Sequence, residues 1–164
     1  MSSQGKNNGL FSFFEGLDES SRTLMVIIPH EDDEINLAGT VIYHARKLGI
    51  RIICVFATNG DWKYPGLIRM KEAIQALSVL GVPEEDIVFL GYPDGGRNVF
   101  VNGRQHPLIG RDGRSETYGL DTHADFAIQY RGKHQAYTWD GLVQDIKDVI
   151  LQYKPAMIMA TDFD

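Results

Sequence analysis

The sequence predicts an α/β protein, a three-layer sandwich around a mostly parallel sheet, and three observations carry the prediction. Four short runs are continuously apolar, as strands covered on both faces are. Helical patterns lie between them. A polar cluster follows each run, where an open parallel sheet places its ligand-binding loops.

Residues 1–22 read as an N-terminal extension. They are polar except for Leu10-Phe11-Ser12-Phe13-Phe14 and lack the basic start and apolar core of a signal peptide. The predicted strands are Leu24–Ile28, Ile50–Ala57, Asp86–Leu90 and Ala156–Ala160. After the first, Leu37, Val41, Ala45 and Leu48 recur at helical spacing, and Gly49 stops the helix. After the second, Leu67, Met70, Ile74, Leu77 and Leu80 do the same, closed by Gly81 and Pro83. Leu142, Ile146, Val149 and Ile150 form a third stripe that ends before Pro155. Strands alternating with helices indicate right-handed βαβ units, hence a Rossmann-like architecture over residues 23–164. The Gly-rich stretch 95–138 breaks the rhythm. It reads as a functional loop or lid, with a mobile surface insertion as the alternative.

Composition narrows the function. The chain has 164 residues, 43% hydrophobic and 23% charged, as expected of one soluble domain. A net charge of −6 and the lack of a basic patch argue against nucleic-acid or anionic-membrane partners. No segment approaches membrane-spanning length, so a cytoplasmic location is expected. The single cysteine, Cys54, lies inside an apolar run and excludes a disulfide framework or a Cys-rich zinc site.

The first polar cluster, Pro29-His30-Glu31-Asp32-Asp33-Glu34, is the most informative. Adjacent carboxylates repel unless a cation or hydrogen-bond donors offset the repulsion. Two readings stand: a solvated acidic turn capping the next helix, or a metal site, since imidazole and carboxylate are the ligands of catalytic zinc. His30 and Asp33, three residues apart, can face one point. Asp32 would then sit beside the open position, free to take a proton. A nucleotide-binding turn is excluded, because this segment is acidic and free of glycine.

The segment Ile28–Thr40 resembles the signature of the PIG-L/LmbE family of zinc-dependent N-deacetylases: small residue, His, Pro, Asp, Asp, Glu, then a small pair. The resemblance continues through Thr58-Asn59-Gly60-Asp61, Arg69-x-x-Glu72, Leu80-Gly81-Val82, Phe89–Gly96 and Lys154-Pro155. It implies Zn2+ held by His30 and Asp33, with Asp32 as general base and Glu34 holding the loop through backbone N–H groups. It also implies that Arg69 contacts substrate or the developing oxyanion and that Asp94 contacts a sugar hydroxyl. The partner implied is a small N-acetylated sugar or glycoconjugate. The bland alternatives are an Arg69–Glu72 surface pair and a Pro-Asp-Gly turn at Asp94.

Two departures stand out. Glu31 replaces the signature proline and is expected to point to solvent. The third zinc ligand of the family, a histidine after the fourth strand, has no counterpart by Asp164, so the chain reads as truncated at its C-terminal side. A non-catalytic metal- or glycan-binding module on the same fold is the alternative function. His44 reads as structural, with His106, His123 and His134 the remaining histidines that could substitute as ligands. Trp62, Tyr118, Tyr130 and Tyr137 are candidates to stack on a sugar. An unfinished sheet would leave an edge open to pairing, so a homo-oligomer is a further expectation.

Overall fold

Four parallel strands form one sheet in the computed structural model, whose described residues are Gly9, 11–95 and 107–161. They are β1 (Thr23–Ile28), β2 (Arg51–Thr58), β3 (Ile87–Tyr92) and β4 (Met157–Ala160), in the order β3-β2-β1-β4. β1 is central, with Leu24 opposite Ile52 of β2 and Met157 of β4. Each strand lies within a residue or two of its predicted run, because continuous β-branched stretches suit a sheet buried on both sides.

Successive side chains of a strand point to opposite faces, and the core divides accordingly. Leu24, Val26, Ile28, Ile52, Cys54 and Phe56 face α2 (Gly39–Lys47) and α3 (Gly66–Val79) through Ile42, Ala45, Met70 and Leu77. Met25, Ile53, Val55, Val88 and Leu90 face α4 (Phe126–Arg131) and α5 (Trp139–Tyr153) through Phe126, Leu142 and Val149. Full burial of each such side chain contributes about 1.5–3 kcal/mol.

The helix expected over Leu37–Leu48 is present as α2, starting two residues late and ending one residue early. A single turn, α1 (Asp33–Asn36), precedes α2, and Leu37 and Leu48 stay exposed. Leu37 and Leu48 lie just outside the ends of α2, so of the expected stripe only Val41 and Ala45 reach the core. Within the region read as a loop or lid, residues 107–138 carry α4 and an antiparallel bridge between Glu116 and Ala136. Their aromatic residues Tyr118, Phe126 and Tyr137 are buried. Thr117, Asp125 and His134 tie the segment together: Thr117 Oγ1 donates to Asp125 Oδ1 (2.9 Å), and His134 Nδ1 lies 2.6 Å from Asp125 Oδ2. Arg131 of α4 reaches two carboxylates of α5, Asp145 and Asp148. Among the described residues no helix is long and apolar enough to cross a membrane.

The connections β1–α2–β2 and β2–α3–β3 run outward on one face. The β3–β4 connection returns across the other face to the far side of β1. The order in which strands are added across the sheet therefore reverses between β1 and β4, and such a switch point opens a crevice at the carboxyl ends of the strands.

Candidate metal and catalytic site

The loop that leaves β1 enters this crevice. The carbonyl of Pro29 accepts from the backbone N–H (2.8 Å) and hydroxyl (2.9 Å) of Thr58, which clamps the loop to the end of β2. Asp32 then takes a left-handed conformation, φ +92° and ψ −27°, which costs a non-glycine residue about 1–2 kcal/mol. Two contacts hold it there. The backbone N–H of Asp32 donates to Glu34 Oε2 (2.7 Å), and Glu34 is buried at 2% exposure. Arg69 of α3 donates through Nη2 to the carbonyl of Glu31.

This turn brings three donor groups together. His30 Nδ1 lies 3.1 Å from Asp33 Oδ2 and 3.5 Å from Asp32 Oδ1. One donor atom from each of His30, Asp32 and Asp33 falls within 4.8 Å of the others. His30 Nδ1 is buried yet makes no hydrogen bond. An imidazole nitrogen without a hydrogen bond and two carboxylates converging beside it fit a divalent cation of the zinc type. Burial pushes the Asp33 carboxyl above the usual carboxylate range, partly offset by His30.

Arg69 completes the group. Its Nη2 also lies 3.1 Å from Asp32 Oδ2, so the guanidinium turns toward the loop and not along α3 to Glu72. Asp32 is the open member, its side chain 56% exposed. It borders a groove of about 480 Å³ between α1 and α3, lined by Arg69, Ile35, Tyr64, Ile68 and Ala73.

Glu31 corrects the sequence reading. It does not point to solvent but is buried at 1% exposure, with neither carboxyl oxygen hydrogen-bonded. The loop turns it inward beside Gly60 and Arg69, so that a methyl group on Gly60 would meet Glu31 Oε2 at 2.6 Å and Arg69 Cζ at 3.3 Å. Desolvation raises its pKa to about 8, opposed by the polarity of its own backbone N–H and by the charge of Arg69. Charge alone hides such a residue, because acidic side chains are rarely buried without a partner.

Loops after β2 and β3 form the adjoining wall. Asp94 donates its backbone N–H to Asp61 Oδ1 (2.7 Å), and its own Oδ1 accepts from Gly95 N (2.5 Å), the geometry of a turn. Asp61, given no role from sequence, links the two loops. Its place in the Asn-Gly-Asp block at the end of a strand was the available signal. Asn59 beside it is fully buried and donates its backbone N–H to Tyr92 O (2.8 Å).

The spare histidines lie elsewhere. His123 Nε2 donates to the carbonyl of Ile87 (2.8 Å), at the opposite end of β3. His134 is engaged with Asp125, and His44 packs edge-on against Tyr43. His106 lies outside the described residues. Of the aromatic candidates, Tyr137 is fully buried and packs against Tyr92, Tyr118 is 8% exposed, and Tyr130 stacks on Phe126. Trp62 is half exposed, with the Arg111 guanidinium 3.3 Å from its ring centre.

A family model described as PIG-L, GlcNAc-PI de-N-acetylase, matches residues 25–164. No solved structure matches the chain.

Proposed function

The chain belongs to the PIG-L family, and from that premise we propose that it hydrolyses the N-acetyl group of an N-acetylglucosamine-type sugar or conjugate, using zinc held by His30 and Asp33. The observation that carries this reading is the convergence of His30, Asp32 and Asp33 on one point at the carboxyl end of β1.

Zinc, when bound, supplies Lewis-acid polarisation of the acetamide carbonyl and acidifies water. The remaining chemistry belongs to the side chains. Asp32, exposed toward the groove, accepts a proton from the attacking water and returns it to the departing amine, so that acetate and a free amino sugar result. Arg69 sits beside Asp32 and offers its guanidinium to the acyl oxygen as negative charge develops there. Glu34 and the left-handed turn fix the direction of the Asp32 side chain. Asp94, on the neighbouring loop, faces a sugar hydroxyl.

The test measures bound metal by plasma mass spectrometry and release of primary amine from N-acetylglucosamine conjugates. The expected result is one zinc per chain and amine release that His30→Ala abolishes. Zinc binding without amine release on any conjugate would instead fit a non-catalytic metal-binding module.

A further inference from the structure

The groove beside Asp32 is larger than an acetyl group needs. It holds about 480 Å³ between α1 and α3, and Asp32 and Arg69 both belong to its lining. Those two side chains flank the acyl carbon in the proposed reaction, so the groove opens at the atom that bears the acyl substituent. An acetyl methyl would fill only its mouth.

Beyond the mouth the lining is apolar. Arg69, Ala73 and Ala76 recur at helical spacing, so one face of α3 runs away from the reaction centre for about 10 Å. Past Arg69 the middle of that face carries only methyl groups, which leaves a trough. Ile35 of α1, Ile68 in the first turn of α3 and Tyr64 just before it form the walls, and all three stand about half exposed. Glu31 and Glu34 also border the space but are buried and show it almost no surface. Glu72 and Asn36 are exposed and can turn to solvent. Single exposed apolar side chains need no explanation, whereas a cluster of them at a reaction centre marks a surface that a ligand covers.

Two parts of a glycoconjugate could carry an apolar chain, the acyl group and the aglycone. The polar contact given to the sugar is Asp94, joined to Asp61 on the neighbouring loop. Among the described residues, neither Asp61 nor Asp94 borders the groove. An aglycone hangs from the sugar ring, whereas the acyl substituent starts at the reacting carbon itself, between Asp32 and Arg69.

We propose that the groove binds the acyl chain of the substrate, so that the protein removes apolar N-acyl groups longer than acetyl from an amino sugar. The inference rests on the deacetylase reading and extends it along the acyl group. Water adds its oxygen to the acyl carbon, the C–N bond breaks and the amine takes the proton, leaving a short fatty acid and the free amino sugar. Each CH₂ that leaves water for the apolar walls favours the bound state.

Glucosamine bearing acetyl, butyryl, hexanoyl or octanoyl on its nitrogen tests this in the zinc-loaded chain. kcat/KM for amine release should rise about twofold per added CH₂, roughly half the free energy of complete burial because a groove leaves one side of the chain in water. Ala76→Leu, which narrows the trough, should cut the octanoyl-to-acetyl ratio about tenfold. A second readout needs neither metal nor turnover. In protein labelled at the isoleucine δ1 methyl groups, N-octanoylglucosamine should shift the NMR signals of Ile35 and Ile68, and N-acetylglucosamine at the same concentration should not. The octyl glycoside of N-acetylglucosamine, whose chain hangs from the ring, should match N-acetylglucosamine in both readouts. Acetyl release with rates that stay flat or fall as the acyl group lengthens would overturn the inference and leave the deacetylase reading intact. Methyl signals that ignore the octanoyl sugar, or respond equally to the octyl glycoside, overturn it as well. Should Ala76→Leu not fold, the wild-type series decides alone. If no derivative releases amine yet Ile35 and Ile68 respond only to the octanoyl sugar, the deacetylase reading falls and the acyl-binding groove stands.

Discussion

His30 Nδ1 and Asp33 Oδ2 face each other at 3.1 Å, yet the buried nitrogen makes no hydrogen bond with that oxygen or any other. Both atoms are better suited to a shared cation than to each other.

Metal binding should therefore collapse when either donor is removed. His30→Ala and Asp33→Ala are expected to weaken zinc affinity by more than the roughly 10–100-fold typical of losing an outer hydrogen-bond partner. Competition titration against a chromophoric chelator reads this directly. Affinity retained in both variants would move the metal to another site.

Asp32 is expected to separate binding from turnover. Asp32→Asn keeps a group of the same size and should retain zinc, while amine release falls by about 10²–10⁴-fold, the range of a lost general base. A variant with normal rates would transfer that role to another group.

The left-handed backbone at Asp32 gives a second prediction at the same position. Asp32→Gly removes side-chain strain of about 1–2 kcal/mol, less up to about 1 kcal/mol of glycine chain entropy. Urea unfolding should find this inactive variant as stable as the wild type or slightly more so. Asp32→Val, which tolerates that conformation poorly, should be clearly less stable.

Cys54 lies in the middle of β2, fully buried, and burial pushes its thiol well above the ordinary range. The thiolate is the reactive form, so a disulfide-exchange reagent should leave the native chain unmodified and label it once in urea. Fast labelling of the native chain would mean that β2 is not the closed inner strand described above.

Arg131 bridges α4 to α5 through Asp145, which is fully buried, and Asp148. Arg131→Met strands those carboxylates and should cost about 3–5 kcal/mol, the usual loss when one partner of a buried pair is removed. Thermal unfolding would show it; a change under 1 kcal/mol would mean that water already serves Asp145.

The parts legible in the sequence were those that local pattern dictates. Val26, Val55 and Val88 sit in uninterrupted apolar runs, and such runs have few other places to go. The His30–Asp33 spacing announced a shared point because a turn brings positions three apart together. Glu31 was misread because only the local twist of the loop decides that Glu31 and Glu34, and not Asp32, turn inward. Residues 107–138 resisted because their core aromatics, Tyr118, Phe126 and Tyr137, follow no helical or alternating period. They are held by pairings such as His134 with Asp125 that only the folded chain creates.

The pairing of Leu24 with Met157 and of Met25 with Ile158 has a consequence for how the protein comes into being. The strand that carries the acidic loop is made early in synthesis, whereas its neighbour on one side is made only after the helices and the long connection. Until then a nascent chain presents a raw hydrogen-bonding edge beside an unprotected acidic turn. Contacts of such sequence separation slow folding. A chain whose β4 has not yet been laid against β1 therefore leaves the crevice open along one side, and the acidic turn closes in only when that late pairing forms.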